Sequence, residues 1–378
     1  MNYIFKDTDD VYDIPDERHC LDGDDDDDGG GQVWPTTAAI SRLRVELMAV
    51  KSQLNDIPLD RWSAHTALTD KSSLIIPALR RQLSRQPFLL TKAWLKMYEM
   101  LSELRLIERH LGDEDEERSG PKDSKRQRRQ QSLDVLFLCE CPGGFVNAIN
   151  HYMKSHDLTS DRLNYRWLAT TLNPYYEDID YTIVDDRFIR QPMSYPNWWF
   201  GPKNTGNILD NDFVDDLRLE MHRREIAAND GFNIVTCDGS INCVDCPERQ
   251  EEVVLPLVAK EVLTGLTVLA SDGSLIVKLF TLFDCQTQCL LYLLCCAFRR
   301  LHVFKPTASK SGNSELYVIG LGFKSSPRLT TIVGKLLANE CKSRPIFNMK
   351  SISDRFFGKL EDCIRYFVDN QCRETANS

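Results

Sequence analysis

The chain has 378 residues, 42% hydrophobic and 27% charged, which suits one large soluble domain or two modest ones. Its net charge of -10 argues against strong non-specific nucleic-acid binding by the chain as a whole. Thirteen irregularly spaced cysteines, an N-terminus unlike a signal peptide and no apolar run near the roughly 18 residues of a membrane span exclude a secreted disulfide scaffold and a membrane protein. Nucleus and cytoplasm are the expected location. Residues 1–35 are acidic, with an unbroken run from Asp24 to Asp28, and are expected to form a disordered tail. Residues 36–111 read as a helical region. Ile40, Leu43, Leu47 and Val50 mark one helical stretch over 36–70, and Trp94, Met97, Met100, Leu101 and Leu104 another over 89–111. Residues 112–132 read as a charged linker or loop. Its basic part, KDSKRQRR, suits a nuclear localisation signal, an RNA contact or plain solvation.

The texture changes at 133. The runs LDVLFLC, YRWLATTL, DYTIVDD, FNIVTCDG and SLIVKLF read as strands. Helical stretches stand between them: GFVNAINHYM, FVDDLRLEMHRREIA and EEVVLPLVAKEVLTGLTVLA, with CQTQCLLYLLCCAF after the last. This alternation predicts a parallel α/β sheet covered on both faces over residues 133–325. LHVFKP and ELYVIGLGF add a closing antiparallel pair. Residues 326–378 return to helical patterns, and no internal repeat is visible.

In such a sheet a ligand sits outside the carboxyl ends of the strands. CPGG at 141–144 follows the first apolar strand of this region and precedes a helix. Glycine there suits close ligand approach, with free N–H groups at the helix start, but equally suits an ordinary tight turn. The absence of GxGxxG makes a dinucleotide the weaker option. NIVTCDG ends on Asp238, SLIVKLF holds Lys278 inside an apolar strand, and ELYVIG opens on Glu315. A lysine in such a strand is either part of a structural ion pair or a base with a lowered pKa.

These residues resemble a known family. LCECPGGF, TCDGS, LIVKLF and NSELYVI, in this order, resemble the FtsJ-like 2′-O-ribose methyltransferases. AWLKM at 93–97 is similar to that family's first-lysine pattern. The resemblance implies a Lys96, Asp238, Lys278, Glu315 tetrad on a Rossmann-like sheet with an N-terminal helical extension. NAINHYMKSH, ATTLNPYYE, DDRFI, WWFGPKNTGNI, DGSINC and HVFKPTASKSGNSE look like the cap-specific mRNA methyltransferase 2 family, over residues 88–325. That likeness implies S-adenosylmethionine as methyl donor and the 5′ end of capped mRNA as partner. The reaction implied is 2′-O-methylation of the second transcribed nucleotide. Pro142, Gly143, Gly144, Phe145 and Asp238 are the implied cofactor contacts, with Asn173 holding the ribose and Asn207 standing where an Asp is expected near the adenine. Asp185 and Asp186 are further candidates. Lys278 is the expected base, acting neutral because Lys96 nearby disfavours its protonation.

Other features have plainer alternatives. Trp198, Trp199 and Phe200 stack on a base or pack under their loop, with packing favoured. Lys305, Lys310, Arg299 and Arg300 are candidate phosphate contacts. Cys243 and Cys246 form a CxxC with no second pair, so no metal is expected. The rival readings are a first-nucleotide cap enzyme, a ribosomal or transfer RNA enzyme, and an inactive cap- or RNA-binding module. Members of the family continue into a second, inactive methyltransferase-like domain, for which this chain is too short.

Overall fold

A computed structural model describes residues 1–15, 37–53, 61, 70–111, 131–159, 163–176, 185–226, 231–243, 246–310, 312–338, 347 and 351–376. The acidic run, the KDSKRQRR segment and most of the expected strand DYTIVDD lie outside these residues. β1 (Asn2–Lys6) precedes α1 (Ala38–Ser52), α2 (Lys71–Gln82), α3 (Lys92–Leu104) and α4 (Leu106–Leu111). The alternating core comprises β2 (Gln131–Leu138), α5 (Gly144–Ser155), β3 (Leu163–Ala169), α6 (Phe213–Arg223), β4 (Phe232–Cys237), α7 (Gln250–Val268), β5 (Leu269–Leu279), α8 (Cys285–Ala297), β6 (Phe298–Phe304) and β7 (Leu316–Phe323). α9 (Pro327–Ala338) and α10 (Asp354–Ala376) complete it.

Seven strands form one sheet in the order β1-β6-β7-β5-β4-β2-β3. β3, β2, β4 and β5 run parallel, β7 is antiparallel to both β5 and β6, and β1 is antiparallel to β6. Successive side chains point to opposite faces, and both faces are covered. Leu136, Leu138, Val235 and Val277 pack with α7 and α8 in one core. Val135, Phe137, Ile234 and Ile276 pack with α3 and α5 in the other. The Rossmann-like α/β expectation holds, closing pair included.

Two local expectations need correction. Residues 1–35 are not disordered throughout, because β1 adds an edge strand to the sheet. Phe5 is fully buried, and the Lys6 ammonium donates to the carbonyls of Cys295 and Phe298 at 2.7 and 2.6 Å, capping the end of α8. Residues 89–111 are two helices, because Arg105 adopts a left-handed φ of 48° between them. α2 is a helix that Pro77 hides from periodicity; Asp70 caps its start by accepting from Ser72 N at 3.0 Å.

α3 carries Lys96, so its placement decides where that amine can reach. Thr91 caps its first turn through Trp94 N, and the helix lies against the start of α5. A Cβ on Gly144 would stand 2.8 Å from Ala93 Cβ and 3.0 Å from Thr91 Oγ1, so only glycine allows this approach. Gly144→Ala is expected to lower unfolding free energy by about 1–3 kcal/mol, the usual cost of overpacking, as read by denaturant melts.

Candidate active site

The reversal of β7 decides where chemistry concentrates. β4 and β5 end on one edge of the sheet, and β7, antiparallel to β5, begins on that same edge. Asp238 directly follows β4, Lys278 is the penultimate residue of β5, and Glu315 directly precedes β7. Lys96 arrives from the second turn of α3.

The four side chains meet as two pairs. Lys96 Nζ lies 2.6 Å from Glu315 Oε1, and Lys278 Nζ lies 3.2 Å from Asp238 Oδ1. Lys278 also donates to the Asp238 main-chain carbonyl at 2.7 Å. Lys278 and Glu315 are 7% and 8% exposed, a burial that charges tolerate only when paired. Burial alone would drive Lys278 toward neutrality, but the Asp238 and Glu315 carboxylates outweigh it and raise its pKa above the ordinary lysine value. Lys278 thus favours its charged form, against the expectation of a neutral amine, and Lys96 is itself engaged by Glu315. Burial also pushes Glu315 up, but Lys96 and the Ser309 hydroxyl, 2.6 Å from Oε1, hold it below the ordinary carboxylate value.

Tyr317 joins the cluster unforeseen. It is fully buried and donates its hydroxyl to Asp238 Oδ1 at 2.8 Å. It stands two residues after Glu315, and that period-two spacing in NSELY was the available signal.

The glycine turn is organised by packing. Gly143 has φ +109°, and a Cβ there would strike the Phe188 ring at 2.4 Å. Two of the helix N–H groups expected to be free are taken: Glu140 Oε1 accepts from Phe145 N at 2.7 Å and Val146 N at 3.2 Å. Burial, with the nearby charge of Asp238, holds Glu140 well above the ordinary carboxylate value. Of the four turn residues expected to touch a cofactor, only Pro142 is not fully buried. Phe145 belongs to the core, with its ring 6.1 Å from that of Tyr317.

The two asparagines hold loops together. Asn173 donates to Asn204 O at 2.7 Å and accepts from Tyr175 N at 3.0 Å, so its side chain staples the loop after β3 to the 200–207 loop. Asn207 accepts from Leu209 N and donates to Asp210. Each amide keeps further donor and acceptor capacity, so these bonds hold the loops without deciding the expected contacts to a ribose and an adenine. Asp185 pairs with Arg187 and Asp186 with Arg190, each on its own turn. Trp198 is buried and donates to Ser194 Oγ at 3.0 Å, Phe200 is buried, and Trp199 packs on Phe213, as the packing alternative expected.

The candidate phosphate contacts separate. Lys305 is buried, donating to Asn313 O at 2.7 Å and Glu315 O at 3.2 Å. It braces the loop that carries Ser309 and Glu315. Lys310 lies exposed on that loop. Arg299 and Arg300 lie at the opposite edge of the sheet, paired with Asp272 and Asp7. Cys243 is buried and its carbonyl accepts from Cys246 N; among the described residues no third His, Cys, Asp or Glu joins them to form a metal site.

Two pairs of this kind have a measurable acid signature. Glu315 has a folded-state pKa below its ordinary 4.5, so it contributes stability above that pH which is lost as pH falls through its folded value. Lys96→Met removes the partner and is expected to cost about 3 kcal/mol or more at pH 7, with a smaller difference from wild type at pH 4. Denaturant melts at the two pH values check this.

A family model of FtsJ-like methyltransferases matches residues 89–323. The cap-specific mRNA (nucleoside-2′-O-)-methyltransferase 2 of Drosophila melanogaster is 37% identical over 341 residues, covering 88% of this chain and 45% of that protein. The protein of the same name from Danio rerio is 35% identical, covering 87% and 41%. The chain thus spans less than half the length of these curated relatives. A solved structure of a putative ribosomal RNA methyltransferase from Plasmodium falciparum matches at TM-score 0.30 and 15% identity, covering 57% of this chain and 96% of that one.

Proposed function

This chain belongs to the FtsJ-like methyltransferase family, and we propose that it transfers a methyl group from S-adenosylmethionine to the ribose 2′-hydroxyl of the second transcribed nucleotide of capped mRNA. The observation that carries this reading is the pairing of Lys96 with Glu315 and Lys278 with Asp238 at one sheet edge. The relatives' printed names supply the cap and the nucleoside 2′-oxygen.

The crevice fits the proposed donor on chemistry. Glu140 closes the start of α5 to a phosphate, and Asp238 offers a partly exposed carboxylate suited to a cationic ligand. Pro142 and Asp238 are the residues best placed to hold it. When bound, S-adenosylmethionine supplies an electrophilic sulfonium methyl. Lys278 takes the proton of the attacking hydroxyl, Asp238 holds Lys278, and Tyr317 fixes Asp238. Lys96 and Glu315 orient the hydroxyl. Much of the rate comes from positioning.

Lys278 must shed a proton before it accepts one, and its pKa is raised. Single-turnover transfer is therefore expected to rise between roughly pH 6.5 and 8.5, by up to about tenfold per unit, the factor by which each unit multiplies the neutral fraction of a lone base. A plateau from pH 6.5 contradicts this. Lys278→Ala is expected to lose about 10²–10⁴-fold in rate, the usual share of a general base, with S-adenosylmethionine binding intact by calorimetry.

A surface beside the site suits an RNA strand. Arg80, Arg81 and Arg85 are exposed and make no ion pair among the described residues. Phe88, half exposed, lies tilted with its ring centre 5.8 Å from that of Phe188, the ring that covers Gly143. Free guanidinium groups beside an exposed ring match how single strands are gripped, by cations on phosphates and stacking on bases. Replacing the three arginines with Glu is expected to weaken RNA binding about tenfold or more at low salt and to flatten its salt dependence, as measured by fluorescence anisotropy.

A further inference from the structure

Glu261 lies on α7 with no exposed surface, directly after the half-buried Lys260 and among the buried Val258, Ala259, Val262 and Leu263. Its Oε1 accepts from Gly239 N at 2.9 Å, the Cys139 thiol lies against the carboxylate, and its Oε2 makes no further hydrogen bond among the described residues. An interior carboxylate with an unused oxygen is costly, and the methyl-transfer chemistry makes no direct use of it. The chain nevertheless keeps room for it. A Cβ on Gly239 would stand 2.7 and 2.8 Å from its two oxygens.

The peptide unit between Asp238 and Gly239 connects this carboxylate to the site. That peptide is trans, so its N–H and C=O point in opposite directions. The N–H meets Glu261 on the interior side, and the carbonyl accepts the Lys278 ammonium at 2.7 Å on the other. One peptide unit thus carries a carboxylate at its positive end and an ammonium at its negative end. Hydrogen bonds in series polarise one another, most effectively away from water. A charged Glu261 makes the Asp238 carbonyl a stronger acceptor and tightens the hold of Lys278 on its proton.

We propose that Glu261 is a positioning residue that sets the proton affinity of Lys278 through the Asp238–Gly239 peptide. This rests on the reading of Lys278 as the base. The titratable groups facing Glu261 are the Cys139 thiol after β2, the Cys237 thiol in β4, Asp238, and Lys278 in β5. Burial lifts Glu261 to about 8, against the pull of the Lys278 charge, Cys139 and Gly239 N–H. Glu261 therefore gains its charge as pH rises through that value, and its grip on Lys278 strengthens in the same interval.

The test is an NMR titration of the full chain carrying 13Cε-labelled lysine, with the Lys278 signal assigned by Lys278→Arg. Glu261→Gln keeps an acceptor for the Gly239 N–H and removes the charge. The Lys278 midpoint is expected to fall by about one pH unit, a tenfold change in proton affinity, while the Lys96 signal stays in place. An unchanged Lys278 midpoint overturns the proposal. Gly239→Ala, whose Cβ displaces the carboxylate, is a second variant with the same expectation and the same power to refute. Methyl transfer against pH is read alongside, and the rising limb is expected to move to lower pH in Glu261→Gln. Wild type that transfers no methyl while the midpoint still shifts refutes the functional reading and leaves the relay standing. Transfer without a midpoint shift refutes the relay alone.

Discussion

Two ammonium groups and two carboxylates sit nearly out of water at one edge of the sheet, and they are tolerable only together. Removing any one leaves an uncompensated charge in a poorly solvated place. Much of the architecture serves that constraint. β7 must run against β5, so that Glu315 at its start stands beside Lys278 near the end of its neighbour. α3 must lie close enough to α5 to bring Lys96 within 2.6 Å of Glu315, and Gly144 permits that approach. Ser309 and Tyr317 then hold the two carboxylates, and Lys305 braces the Glu315 main-chain carbonyl.

The same arrangement poses a chemical difficulty. The carboxylates that make Lys278 tolerable in its site also make it reluctant to lose its proton. For the proposed reaction Lys278 would have to lose that proton, and a cationic donor beside Asp238, as proposed, would favour the loss. The paired site favours its charged form. Its pH response belongs to a coupled set of groups, with Glu261 behind the pair as one more member.

Much of the fold is legible in the chain. Period-two runs such as LDVLFLC and SLIVKLF bury both faces of the sheet, and the helices between them leave little freedom in topology. The closing antiparallel pair is legible because LHVFKP and ELYVIGLGF succeed one another without a helix between them. Three of the tetrad stand out because one is a lysine in an apolar strand and two are acids at strand ends; Lys96, on a helix, is found only through the family resemblance. What stays hidden depends on long-range contact. The pairing of β1 with β6 spans nearly the whole chain, and nothing local in NYIFK announces it. Gly143 and Gly144 look like ligand-binding glycines, yet the crowding by Phe188 and Ala93 is tertiary. Asn173 and Asn207 have suitable chemistry, and only the fold reveals that they also tie neighbouring loop segments together. Glu261 reads as one charge in a mixed helix until the fold brings Gly239 against it.

The most direct test of the proposed activity is to supply S-adenosylmethionine and a short capped RNA, digest the product to nucleosides and dinucleotides, and identify by mass spectrometry which ribose has gained a methyl. The expected result is 2′-O-methylation of the second transcribed nucleotide by the wild-type chain and none by a variant lacking the Lys278 amine. Methyl on the first nucleotide alone, or an unmodified RNA despite bound donor, would contradict it.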